Sequence, residues 1–258
     1  MKKTIQMMCV AVVVTLGAAT SAGDISPVPI TLDYAAYAHA NADSAAAGIM
    51  VQHSSTGDQT DYTLNGPAEA HAHSDAMGEY EILEIDPDTG EEWWLPVLMG
   101  HITVHASAMA TGSEHPFGAT LSSLVEMEIY GNGDAGGEAT ADTSLDATVG
   151  IGNSPQFPLG AGGLTLHLEA TISGSLASPW SVSIISLDPD NPIDVTLNDA
   201  ALLANLPVLA GQELSVSLVD SLDIGVDVIG DTIETRRREI QIEFAVTPEP
   251  ATLTLLAL

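Results

Sequence analysis

Cysteine is almost missing from this chain: Cys9 is the only one in 258 residues. A domain beyond that position can hold no disulfide, no zinc–thiolate site and no cysteine nucleophile. Positive charge is scarce as well. Lys and Arg total 5 against 35 Asp and Glu, for a formal net charge of −30. Such a surface repels nucleic acid and anionic lipid headgroups, and it favours divalent cations and solubility in saline water. Aromatic residues make up only 4%, yet apolar residues of all kinds reach 45%. Alanine and the branched aliphatics carry that fraction, which is enough for a packed core and argues against wholesale disorder. No HExxH zinc motif and no G-x-S-x-G nucleophile elbow occurs.

The N-terminus has the three parts of a secretory leader. Lys2 and Lys3 supply the charge, and Met7 to Ala19 supplies the apolar stretch. Thr20-Ser21-Ala22 offers small residues for cleavage, so residues 1–22 read as the signal peptide and Gly23 as the mature start. The apolar stretch is shorter than the roughly 20 residues of a spanning helix, which disfavours an uncleaved anchor. Cys9 lies inside this leader, with neither a leucine three residues before it nor small flanking residues, so it is a poor lipid-attachment site.

Period two dominates residues 23–247, the mark of half-buried strands. It is clearest in Ile102 to Ala106, Leu164 to Ala170, Leu222 to Val228 and Ile240 to Val246. Further strands are expected at Ile30 to Tyr37, Leu121 to Tyr130, Thr140 to Val149, Val182 to Leu187 and Asp194 to Leu197. Turn chemistry separates them at Asn65-Gly66-Pro67, Asp86-Pro87-Asp88-Thr89-Gly90, Gly131-Asn132-Gly133-Asp134, Asp188-Pro189-Asp190-Asn191-Pro192 and Gly211. One short helix is expected from Asp199 to Leu206, capped by Asn198 and stopped before Pro207. The expectation is one all-β domain over residues 23–247, an antiparallel β-sandwich of jelly-roll type. The glycine-rich stretch Gly131 to Gly137 reads as a long hairpin loop within it. Its GxGxxG spelling carries no dinucleotide site, because strand-like alternation follows where a helix is required.

The last strand runs straight into Pro248-Glu249-Pro250, and then into Ala251-Thr252-Leu253-Thr254-Leu255-Leu256-Ala257-Leu258. The triplet and its apolar continuation resemble the start of a PEP-CTERM sorting signal, the tag processed by exosortase-type enzymes in exopolysaccharide-producing bacteria. The resemblance covers residues 248–258. Family members continue into a full spanning helix and an arginine-rich end. Here eight residues follow the triplet, too few to cross a bilayer, so the signal is expected to be truncated or degraded. The resemblance implies an exported protein sorted to the cell envelope, the cell surface or the extracellular matrix. An exosortase-type enzyme would be its processing partner, and membrane contact would come only through the C-terminal signal. Signals of this kind sit on unrelated domains, so the resemblance transfers no activity.

Within the domain, three chemistries are candidates. His71 and His73 are two apart, which on a strand puts both imidazoles on one side, and Glu79 follows six residues later. This resembles the first cupin metal motif, although Gly163 stands where the second motif needs histidine. The remaining histidines show no shared ligand spacing. Calcium is the ion expected if the acidic turns bind one: Asp86, Asp88 and Glu92 in the first turn, and Asp188, Asp190 and Asp194 in the second. Turn geometry alone also accounts for Asp-Pro-Asp-Thr-Gly. Trp93, Trp94 and Trp180 are candidate stacking faces for a glycan, though adjacent tryptophans on a strand point to opposite faces. Arg236-Arg237-Arg238 reads as a solvated hairpin paired with Asp231, Glu234 and Glu239. The reading is of a non-enzymatic envelope or matrix protein that touches extracellular polysaccharide. A carbohydrate-binding module and a cupin-like metal-binding protein are the alternatives.

Overall fold

The computed structural model describes residues 28–46, 53–87, 89–115, 118–175, 178–229 and 231–249. Residues 1–22, read above as a leader, lie outside the described residues, as do Asp88 and Pro250 to Leu258. Eleven strands are present: β1 (Ile30–Ala46), β2 (His53–Leu64), β3 (Ala68–Ile85), β4 (Glu92–His115), β5 (Gly118–Ile151), β6 (Leu164–Gly174), β7 (Trp180–Ser186), β8 (Asp194–Leu197), β9 (Leu203–Val208), β10 (Glu213–Ile229) and β11 (Thr232–Pro248). All pairings are antiparallel.

The 34-residue β5 organises the molecule. Its first half pairs with β4 and β11, in the order β3-β4-β5-β11-β6-β9. Its second half pairs with β1 and β10, in the order β2-β1-β5-β10-β7-β8. One strand therefore serves two six-stranded sheets, which face each other as the expected antiparallel sandwich. After β5 the chain passes repeatedly between the sheets, as in a jelly roll.

The stretch Gly131 to Gly137 is the passage between sheets, not a hairpin loop. Gly133 has φ +71, which a β-carbon would strain. A β-carbon on the paired Gly100 would lie 2.4 Å from the Asp134 carbonyl oxygen. These glycines permit a bend and a close approach inside a continuous strand.

The core is one cluster, but it changes character across the sandwich. Ala36, Ala38, Ala40 and Ala42 of β1 face inward with Ala68, Ala70 and Ala72 of β3 and Ala106, Ala108 and Ala110 of β4. Cα atoms of β1 lie within 8 Å of those of β3 and β4, closer than the usual sheet spacing of about 10 Å. Leucine, isoleucine and phenylalanine fill the other half, through Leu166, Leu168, Leu218, Ile242 and Phe244. On the thin side β2 crosses the free edge of β3. A β-carbon on Gly57 would sit 2.3 Å from the His73 carbonyl oxygen. The Gln59 and Asp61 side chains accept the backbone N–H groups of His71 (2.8 Å) and Glu69 (3.1 Å). The opposite edges are the short β8 and β9, the latter carrying Pro207, a common way to blunt an edge.

No helix occurs among the described residues. In place of the expected one, Asn198 and Ala201 bridge antiparallel and β9 begins at Leu203. Asn198 does accept a nearby N–H, that of Ala200 at 2.9 Å, but as an Asx turn. The same side-chain habit serves caps and turns, and here the turn wins because β6 offers β9 a strand to pair with.

Candidate functional site

A groove of about 430 Å³ lies on the outer face of the β3-β4-β5-β11 sheet. Period-two alternation aligns its side chains in cross-strand rows. One row runs His73, His105, Glu128, Thr235, and the next His71, Ser107, Glu126, Arg237. His71 and His73 thus share a face, as their spacing predicts. Glu79 does not join them. A bulge between Gly78 and Glu79 shifts the register, and Glu79 stands opposite Leu98 beyond the groove.

The imidazole of His73 makes two contacts. Its Nε2 lies 2.7 Å from Asp75 Oδ2, and its Nδ1 lies 3.1 Å from Nδ1 of His105. The Thr103 hydroxyl donates to Asp75 Oδ1 at 2.6 Å. That hydroxyl is the main reason the Asp75 carboxyl sits below its ordinary pKa; partial desolvation works against it, and His73 and His101 reinforce it. His71 turns aside to Glu69 at 3.0 Å. Tyr130 donates to Glu128, which raises the phenol pKa. Sequence spacing could not reveal His105, Thr103 or Glu128, because strand register brings them together. Among the described residues, no group of three or more His, Cys, Asp or Glu could hold a metal ion.

The tryptophans separate. Trp180 is buried in the core with its indole N–H on Asp199, so it offers no face to a sugar. Trp93 and Trp94 are both exposed, the latter by 61%. The two point to opposite faces of β4, and both faces are open here for a topological reason. Pairing of β4 with β5 stops at Gly100. Beyond it, residues 79–98 form a two-stranded ribbon that pairs only with itself among the described residues. Ile82, Leu83, Ile85, Trp93, Trp94 and Leu95 are all exposed on it, between Glu79, Glu81, Glu84, Glu91 and Glu92.

The acidic turns close by their own bonds. Asp86 accepts the Thr89 N–H at 3.2 Å and the Gly90 N–H reaches the Asp86 carbonyl at 2.8 Å, with Gly90 at φ +72. Glu92 opens β4. Asp188 accepts the Asp190 N–H at 2.9 Å, and Asp194 opens β8. Buried Gln212 ties that second turn down, taking Asn191 Nδ2 at 2.9 Å and donating to Ser186 Oγ at 2.9 Å.

The arginine triplet is not uniformly solvated. Arg238 is fully buried. Its Nε donates to Asp220 Oδ1 at 2.7 Å, Nη2 adds Asp220 and the Ser221 carbonyl, and Nη1 reaches the Ser178 carbonyl. The Ser123 hydroxyl completes Asp220 at 2.8 Å. Arg237 pairs with Glu126 at 2.9 Å and with Glu239, while Arg236 donates to the Asp223 carbonyl. No protein-family model, curated protein or solved structure matches this chain.

Proposed function

We propose that this chain is an exported, non-enzymatic protein of the bacterial envelope or extracellular matrix, sorted through its Pro-Glu-Pro signal. The observation that carries the reading is the position of that signal. Strand β11 stays paired up to Pro248, opposite Leu164, and the Glu249 N–H donates to the Gly163 carbonyl at 2.9 Å. Pro248 is the last paired residue of β11, and Pro248 and Glu249 are partly exposed, which supports a reading in which a processing enzyme acts just beyond the sheet. The acidic surface suits a hydrated, cation-rich matrix, where Ca2+ would bridge it to anionic polysaccharide.

The test is the intact mass of the protein recovered from the envelope and the medium of its native host. The expected product begins at Gly23 and is cut near Pro248 to Pro250. A secreted product that keeps Leu258 would overturn the sorting reading.

A second reading, carbohydrate binding, draws support from the exposed ribbon. Trp94 offers an open indole face on an arm that stands clear of the sandwich, and sugar rings stack on such faces.

A further inference from the structure

The His73–His105 pair supports an inference that does not depend on the sorting signal. The two residues are directly opposed in the β3–β4 register, with ring centroids 4.4 Å apart and planes tilted by 31°. A neutral imidazole carries one proton, and the hydrogen bond at one nitrogen decides which nitrogen holds it. An ionised carboxylate only accepts, so Asp75 places the proton of His73 on Nε2. Nδ1 of His73 then accepts the Nδ1–H of His105 at 3.1 Å, and an ion shared by the two nitrogens takes the place of that proton once His105 carries its own on Nε2.

Two nitrogens bound to one ion at about 2.0–2.1 Å stand about 3.3 Å apart at the tetrahedral angle of Zn2+, and about 2.8–3.0 Å apart in cis positions of the square plane that Cu2+ prefers. The observed spacing falls between the two. The outer shell is also in place. A carboxylate on the far N–H of a ligating histidine orients the ring and makes it a better donor, and Thr103 fixes that carboxylate in turn. Glu128 stands opposite His105 on the next strand and lines the same groove.

We propose that His73 and His105 form a two-imidazole site for a late first-row divalent ion, Cu2+ before Zn2+, with Asp75 and Thr103 as its positioning residues. The ion order follows the general affinity of nitrogen sites. With two protein ligands, the remaining coordination positions face the groove and take water or an oxygen donor from outside. The site differs from the His71–His73 pair suggested by sequence spacing, since His71 is engaged by Glu69.

Calorimetry with CuCl2 and ZnCl2 on tag-free protein tests this, alongside Cu2+ electron paramagnetic resonance. One ion per chain is expected, with hyperfine structure from two nitrogens. His73→Ala and His105→Ala should each weaken binding at least tenfold. Asp75→Asn should weaken it by roughly 10- to 100-fold, the usual effect of removing such a partner. His71→Ala and His39→Ala should leave affinity within about twofold. These positions are exposed or half-buried, so the variants should fold, as circular dichroism would verify. Absence of stoichiometric binding would overturn the proposal. So would binding that survives His105→Ala but is lost in His71→Ala, which would assign the ion to the i, i+2 pair.

Discussion

Arg238 is the residue whose removal this fold should tolerate least. It brings three strands together through Asp220, Ser123 and Thr143, with the Ser123 and Thr143 hydroxyls 2.6 Å apart. Both charges are completely buried. Arg238→Met leaves the Asp220 carboxylate in the core without its cation, and breaking such a pair from one side typically costs about 3–5 kcal/mol. Replacing both, as Arg238→Met with Asp220→Leu, should cost clearly less than either single change, because no charge is stranded. Chemical denaturation of the three variants checks this. Equal stability of wild type and Arg238→Met would mean that water reaches the pair. The burial of Arg238 was legible in the sequence. Its parity is that of Ile240, Ile242 and Phe244, which all point inward. Three consecutive arginines suggest a solvated turn, but period two assigns the third of them to the core. The same alternation turns Asp220 inward with Leu218 and Leu222; what it could not give is that these two inward charges meet, which is set by packing between sheets.

At the scale of elements, β8 was legible to the residue and β6, β7 and the ends of β10 and β11 nearly so, because alternation is strict there. The single strand β5 was not, since Gly-Asn-Gly-Asp spells a turn when only local conformation is considered. Its continuity is decided by two sheets that both need it. The ribbon of residues 79–98 was also beyond local reading, because exposure depends on where the neighbouring strand stops. An isolated two-stranded hairpin is marginal in water, and apolar side chains on both of its faces call for a ligand or partner. If that ligand is a glycan, Trp94→Ala should abolish binding on a polysaccharide array. The same change should leave unfolding stability within about 0.5 kcal/mol, as for most exposed positions. Retained glycan affinity in Trp94→Ala and in Trp93→Ala would remove the carbohydrate reading and leave a protein partner as the reason for the arm.

For the whole molecule, charge is the dominant variable. The outer face of the β2-β1-β5-β10 sheet gathers Asp43, Asp58, Glu138, Asp142, Asp146 and Asp223, and Asp43 stands directly opposite Glu138. Like charges in direct cross-strand register destabilise a sheet. His39 lies between Asp58 at 3.0 Å and Asp142 at 3.3 Å, one of few basic groups on that face. With a formal charge of −30 the folded state works against its own repulsion, and screening should relieve it. Raising NaCl from 0.01 M to 1 M shortens the Debye length from about 30 Å to about 3 Å, so the thermal midpoint should rise by several degrees. The same experiment separates screening from specific cation binding at the acidic turns. Millimolar CaCl2 at low ionic strength shifts the midpoint only if Ca2+ binds the folded chain in preference to the unfolded one. A rise with CaCl2 that EDTA reverses, and that millimolar MgCl2 does not reproduce, would assign the turns at Asp86 and Asp188 a ligand. If only high NaCl raises the midpoint, those turns are held by their own hydrogen bonds and by Gln212, and the acidic surface acts as a diffuse polyanion.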